Sequence, residues 1–301
     1  MPTTDGRPVR SEDRRTPRRR GVRRLVILGV VAVLVAVLVA AGLAGYRKVT
    51  EAAASPTCQA TAAGSSVSFS PEQTANAALI SAISVRRQLP PRAATIAVAT
   101  AIQESKLRNL RFGDRDSLGL FQQRPSQGWG TEAQILDPVY ATGRFYDALV
   151  KVKDYGSREI TQVAQEVQRS GFPEAYADHE QEGRILASTL TGLSPAGLGC
   201  RLKPVEQAGD GAVVVADLQS QLGVAASQQG TQVTLTGSTA EQAWAAGQWA
   251  VARAEAYGID RVQVGSKAWQ RAQDQDALTW AVSPAGESPT SVTIRMGTPR
   301  A

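Results

Sequence analysis

The chain has 301 residues, 20% of them charged, and a formal net charge of +6. Residues 1–24 carry all of that excess, nine arginines against three acidic residues, while the remainder balances at 24 basic and 24 acidic residues. The length allows about two domains, and a neutral remainder excludes nucleic acid as the partner of the folded part. Two cysteines and a single histidine supply no metal-ligand set, and no cofactor motif occurs.

In chain order, residues 1–24 read as a disordered Arg-rich tail with little to bury. Residues 25–45 are free of charge over 21 positions, about the ~20 that cross a hydrocarbon core. With the arginines before them they predict a single transmembrane helix, N-terminus in the cytoplasm and the rest of the chain extracytoplasmic at the cell membrane. A cleaved signal peptide ending near Ala40-Ala41-Gly42 is the rival reading. Residues 46–69 read as an Ala/Ser/Thr-rich linker.

Ser70-Pro71-Glu72-Gln73 then opens a helix, with a capping residue, a proline at the first helical position and a capping-box glutamine. The helix stops before Pro90-Pro91, and a second runs from about Arg92 to Ser105. Gly113, Gly119, Gly128 and Gly130 break the next stretch into turns. Asp137-Pro138 starts another helix carrying Tyr140, Phe145 and Tyr146. Ile160, Val163, Ala164 and Val167 mark a further amphipathic segment, and a last helix ends near Leu190. These elements make residues 70–192 a mostly helical domain, joined by a connector at 193–208 to a small α+β domain at 209–297. In that last domain Thr231 to Thr236 alternates as a strand, Thr239 to Tyr257 reads as a helix, and Val262 to Val264 and Ser291 to Met296 are further strands. Trp244, Trp249, Trp269 and Trp280 form either a binding surface for the cell wall or an envelope partner, or an ordinary core.

Cys58 and Cys200 bracket the helical domain. In an exported protein such a pair reads as a disulfide; the alternative is two unrelated thiols.

Glu104 closes the alanine-rich run Ala93 to Ile102. A carboxylate there faces a partly dry interior, which favours its protonated form and suits a general acid. Glu104-Ser105, followed by Gly119-Leu120-Phe121-Gln122 and Arg124-Pro125, resembles the lysozyme-like lytic transglycosylases and the related goose-type lysozymes over roughly residues 71–191. The resemblance implies a lysozyme-like fold and cleavage of peptidoglycan glycan strands, with Glu104 as the acid. It implies that Ser105 and Gln122 are supporting polar groups, and that Gly119, Leu120 and Phe121 form part of the substrate groove. Phe121 stands where that family usually has methionine. The family's Ala-Tyr-Asn segment has only loose counterparts here, around Gln168 or Tyr176.

Two further features bear on the chemistry. Asp114 and Asp116 are the nearest candidates for a second carboxylate that positions water, or they simply form the turn at Gly113. Trp129, between two glycines, is either a sugar-stacking residue or a core tryptophan. Two functions follow: a membrane-anchored muramidase or lytic transglycosylase, and a catalytically inactive lysozyme-like module that binds glycan or organises an envelope complex.

Overall fold

The computed structural model describes residues 28–30, 33–34, 36–43, 55–168, 173–284 and 286–299. The arginine-rich tail at 1–24 and residues 46–54 of the expected linker lie outside the described residues. The chain divides after Ala53 into two units. In the first, residues 28–30, 33–34 and 36–43 are helical. The second holds everything from Ala54 on.

Two expectations need correction here. The chain is not a mostly α domain behind a single transmembrane helix. It is mixed α/β, and among the described residues no helix is long and apolar enough to cross a membrane. Nor are residues 57–69 a linker: β1 (Thr57–Ala62) and β2 (Ser65–Phe69) form an antiparallel hairpin turning at Ala63-Gly64. Cys58, Ala60 and Ala62 alternate as the buried positions of β1, a period of two that small side chains hide from a hydropathy reading. The connector contributes β3 (Leu198–Arg201), which pairs with β1 to complete a sheet of order β2-β1-β3.

Ser70 caps α1 (Pro71–Arg86) with the expected capping box. Its partner α2 (Pro91–Ser105) is buried on nearly every face, Ala93 to Ile102 without interruption, as a helix does when it passes through the middle of a domain. The short α3 (Glu132–Leu136) packs on α4 (Pro138–Leu149), and α4, α5 (Ile160–Gln168) and α6 (Glu180–Leu190) stand around α2. The run of alanines lets α6 approach closely. A Cβ placed on Gly183 of α6 would lie 3.0 Å from both the Ala99 Cβ and the Thr95 carbonyl oxygen of α2.

The C-terminal part begins with α7 (Gly211–Asp217) and continues through β4 (Ala226–Gln229), β5 (Gln232–Thr236), α8 (Ala240–Ala252), α9 (Ala254–Tyr257), β6 (Ile259–Val264), β7 (Lys267–Gln270), β8 (Ala281–Val282) and β9 (Ser291–Met296). The strands make one antiparallel sheet of order β4-β5-β9-β6-β7-β8. Helix α8 packs on β6 and β9 and also against α1. The two expected domains therefore share one compact unit. Gln248 of α8 is buried at this junction. It accepts from the backbone N–H groups of Gly197 (2.8 Å) and Leu198 (2.9 Å) and donates to the Thr189 carbonyl (2.6 Å). Trp280 Nε1 donates to Leu198 O at 2.7 Å. Trp249 and Trp269 are fully buried, Trp280 nearly so, and Trp244 is partly covered, so these tryptophans build the core.

Candidate active site

The residues that could do chemistry gather where α2 ends. Lys106 (φ 53°) and Leu107 (φ 57°) both take the left-handed conformation, which stops the helix one residue after Ser105. Gln73 and Asn76 of α1 hold this turn by donating to the carbonyls of Lys106 (2.9 Å) and Leu107 (2.8 Å). Glu104 is thereby fixed at the rim of the helical core, half-buried.

Tyr176 is buried and donates from Oη to Glu104 Oε1 at 2.7 Å. The side-chain amide of Gln168, the last residue of α5, also favours the charged form of this carboxyl. Burial raises the Glu104 pKa above its ordinary value, and the bonds from Tyr176 and Gln168 offset only part of that rise. A carboxyl group that keeps its proton beyond the usual range, bonded to the neutral Tyr176 hydroxyl and in no ion pair among the described residues, has the form of a general acid.

The Gly119–Gln122 segment is fastened to Ser105, next to Glu104, and to Gln168. The buried Ser105 hydroxyl donates to Leu120 O at 2.7 Å, and Gln168 Nε2 donates to Phe121 O at 2.6 Å. Leu120 and Phe121 are fully buried, and Phe121 stacks on Phe145 with centroids 4.5 Å apart. Gly119 has φ +78°, and a Cβ there would meet Ile135 O at 2.7 Å. Only glycine satisfies both conditions. Ser105, Leu120 and Phe121 are thus committed inside the protein, where they set the position of the acid. Gln122 (φ 47°) is half-exposed; its Nε2 lies 3.3 Å from Gly119 O, and its amide lies over Gly113.

The two aspartates differ. Asp116 accepts from Arg124 Nε at 2.6 Å and from the Ser126 backbone N–H at 2.8 Å, bonds that hold its carboxyl well below the usual carboxylate range. Its task is to brace the loop. The Asp114 side chain is 94% exposed and faces Arg115 Nε at 3.9 Å. Trp129 is half-buried on the helical core, and its carbonyl accepts from Tyr140 Oη at 3.3 Å.

Sequence reasoning alone misses Phe112. It is 73% exposed, and its carbonyl lies 3.5 Å from Gln122 Nε2, so an uncovered aromatic ring stands beside the groove segment. Nothing in the sequence separates it from a core phenylalanine. A cavity of about 610 Å³, lined by Lys203, Glu206, Asp210, Tyr257 and Arg271 among others, does not include Glu104. Arg271 there is occupied by Glu255 and by the carbonyls of Ala254 and Ile259. That cavity is an internal brace of the C-terminal part. Among the described residues no cluster of His, Cys, Asp and Glu could hold a metal ion. No protein-family model and no curated protein matches the chain.

Proposed function

We propose that the chain cleaves the glycan strands of peptidoglycan, with Glu104 as general acid. The observation that carries this reading is the Glu104 carboxyl itself. It is half-buried and raised in pKa, it accepts from Tyr176, and its neighbour Ser105 fastens the Gly119–Gln122 segment that Gln168 also holds. A glycosidic oxygen leaves once protonated, and a neutral carboxylic acid supplies that proton. Loss of the proton leaves Glu104 as a carboxylate ready to accept one from the attacking hydroxyl in the second half of the reaction.

Asp116 is occupied by Arg124 and Ser126, and Asp114 stands in solvent. A single-carboxylate mechanism fits this arrangement: the substrate's N-acetyl group assists departure, and the sugar's C6 hydroxyl attacks to give a 1,6-anhydro end. This is the chemistry that resemblance to the lytic transglycosylases implies. The disulfide between Cys58 and Cys200 supports an extracytoplasmic site of action.

The test is digestion of purified peptidoglycan with the full chain and mass analysis of the products. Wild type is expected to release 1,6-anhydro fragments. Glu104→Gln is expected to lose cleavage by about 10²–10⁴-fold or more while retaining glycan binding. Glycan binding without cleavage by the wild type would instead establish a non-enzymatic module.

A further inference from the structure

The last two residues of α5 have separate tasks. Gln168 reaches Glu104 and Phe121, whereas its neighbour Val167 lines a cavity of about 450 Å³. The other walls include Trp129, Arg144, Asp147, Lys151 and Glu166. The cavity thus borders the same end of α5 that contacts the Gly119–Gln122 segment through Gln168.

Its charges are unevenly satisfied. Asp147 accepts from Arg87 at 2.6 Å and Glu166 from Arg158 at 2.8 Å, so both carboxylates are neutralised by cations that do not line the cavity. The lining cations are less closely paired. Arg144 meets Asp147 Oδ2 at 3.8 Å with its side chain 42% exposed, and its Nε atom is buried with no hydrogen-bond partner among the described residues. Among the described residues Lys151 has neither an ion pair nor a side-chain hydrogen bond. A buried donor without an acceptor is costly, and a guanidinium beside an ammonium matches a carboxylate in charge and geometry. The partly covered Trp129 adds an apolar wall suited to a saccharide-linked group.

We propose that this cavity is a subsite for a carboxylate borne by the glycan strand, held by Arg144 and Lys151 while the scissile bond lies at Glu104. The proposal rests on the glycan-cleaving reading above. Two sources offer the same chemistry: a carboxylate of the peptide stem, or the lactyl carboxylate of a muramic sugar whose stem has been removed. A neutral N-acetylglucosamine chain offers none.

The experiment measures binding by the full chain carrying Glu104→Gln, so that strands stay intact. Three soluble probes of equal length are used: strands bearing peptide stems, strands stripped of stems by an amidase, and N-acetylglucosamine oligomers. Adding Arg144→Gln and Lys151→Gln is expected to weaken binding of a carboxylate-bearing probe at least tenfold and to leave the neutral oligomer unchanged, which also shows that the variant is folded. The N-terminal arginines are common to both proteins, so only the difference between them counts. Loss confined to stem-bearing strands assigns the stem carboxylate; loss confined to stripped strands assigns the lactyl group. Unchanged binding of all three probes, or equal loss on all three, overturns the subsite while leaving the glycan reading in place. If the parent binds no probe, the glycan reading falls, and the subsite with it.

Discussion

Glu104 owes its raised pKa to burial, and burial has a price in stability that can be measured. The folded protein holds this proton more tightly than the unfolded chain does, so stability from this group is complete below the unfolded pKa, about 4.3, and declines as pH rises through the folded value. Glutamine at the same position can still accept from Tyr176 but never needs to ionise. Thermal unfolding of Glu104→Gln and wild type is therefore expected to coincide near pH 4, with the variant the more stable at pH 7. Equal melting temperatures at both pH values would show that Glu104 does not ionise in a desolvated site. On the proposed function the same substitution is expected to remove cleavage, so gained stability and lost activity in one variant would mark the strain characteristic of a catalytic group. Around Glu104, the Glu-Ser pair and the Gly-Leu-Phe-Gln segment were legible in the sequence as belonging together. Their division of labour was not. Whether a serine hydroxyl faces substrate or fastens a neighbouring carbonyl depends on which backbone lies opposite, and Leu120 reaches Ser105 only through the fold.

At the level of elements, legibility followed chemical signals. The start of α1 was plain because Ser70, Pro71 and Gln73 each have a local reason to be there, and β9 because Val292, Ile294 and Met296 alternate with polar residues. The β1–β2 hairpin was not, since its residues are mostly Thr, Ser and Ala, which carry little apolar contrast, and its stability comes from pairing with the distant β3. The alanine run of α2 advertised burial but not its purpose, which is close approach by α6 at Gly183. Replacing that glycine with alanine should gain up to about 1 kcal/mol of helix propensity. It should lose about 1–3 kcal/mol by forcing a methyl against the Ala99 Cβ and the backbone of α2 at 3.0 Å. Backbone inside a packed helix yields little, so the loss wins. Gly183→Ala is expected to melt lower than wild type, whereas Gly156→Ala, where an added Cβ meets nothing within 4 Å, serves as the neutral comparison. A Gly183→Ala protein as stable as wild type would mean that α2 and α6 are free to separate.

Within residues 54–301, one cross-strand pair ties the start of this unit to the strand that follows the helical part. Cys58 and Cys200 sit opposite each other on β1 and β3 and are bonded, 142 positions apart in sequence. Closing so long a loop stabilises by about 4–5 kcal/mol in the chain-entropy account. Cys58→Ala/Cys200→Ala is accordingly expected to unfold at a much lower denaturant concentration, and since both sulfurs are buried, the wild-type bond should resist dithiothreitol until the protein opens. The sheet containing this bond leads directly into the junction with the C-terminal part, where Gln248 satisfies two backbone N–H groups and one carbonyl. Leucine there would remove all three bonds in a buried place; the Thr189 carbonyl keeps the Gly192 N–H and Gly197 keeps a longer bond to Ser194 O, so the loss falls mainly on Leu198, at about 1–3 kcal/mol. Because the helical part and the six-stranded sheet share this core, the loss should appear in both at once. Unfolding of wild type followed by far-ultraviolet circular dichroism and by tryptophan fluorescence, whose reporters lie mainly in the C-terminal part, is expected to give coincident transitions. Gln248→Leu is expected to shift both to lower denaturant together. Separation into two transitions in the wild type would mean that the C-terminal part folds as an independent domain, as its separate helix and strand pattern first suggests, and that Gln248 joins two bodies instead of completing one.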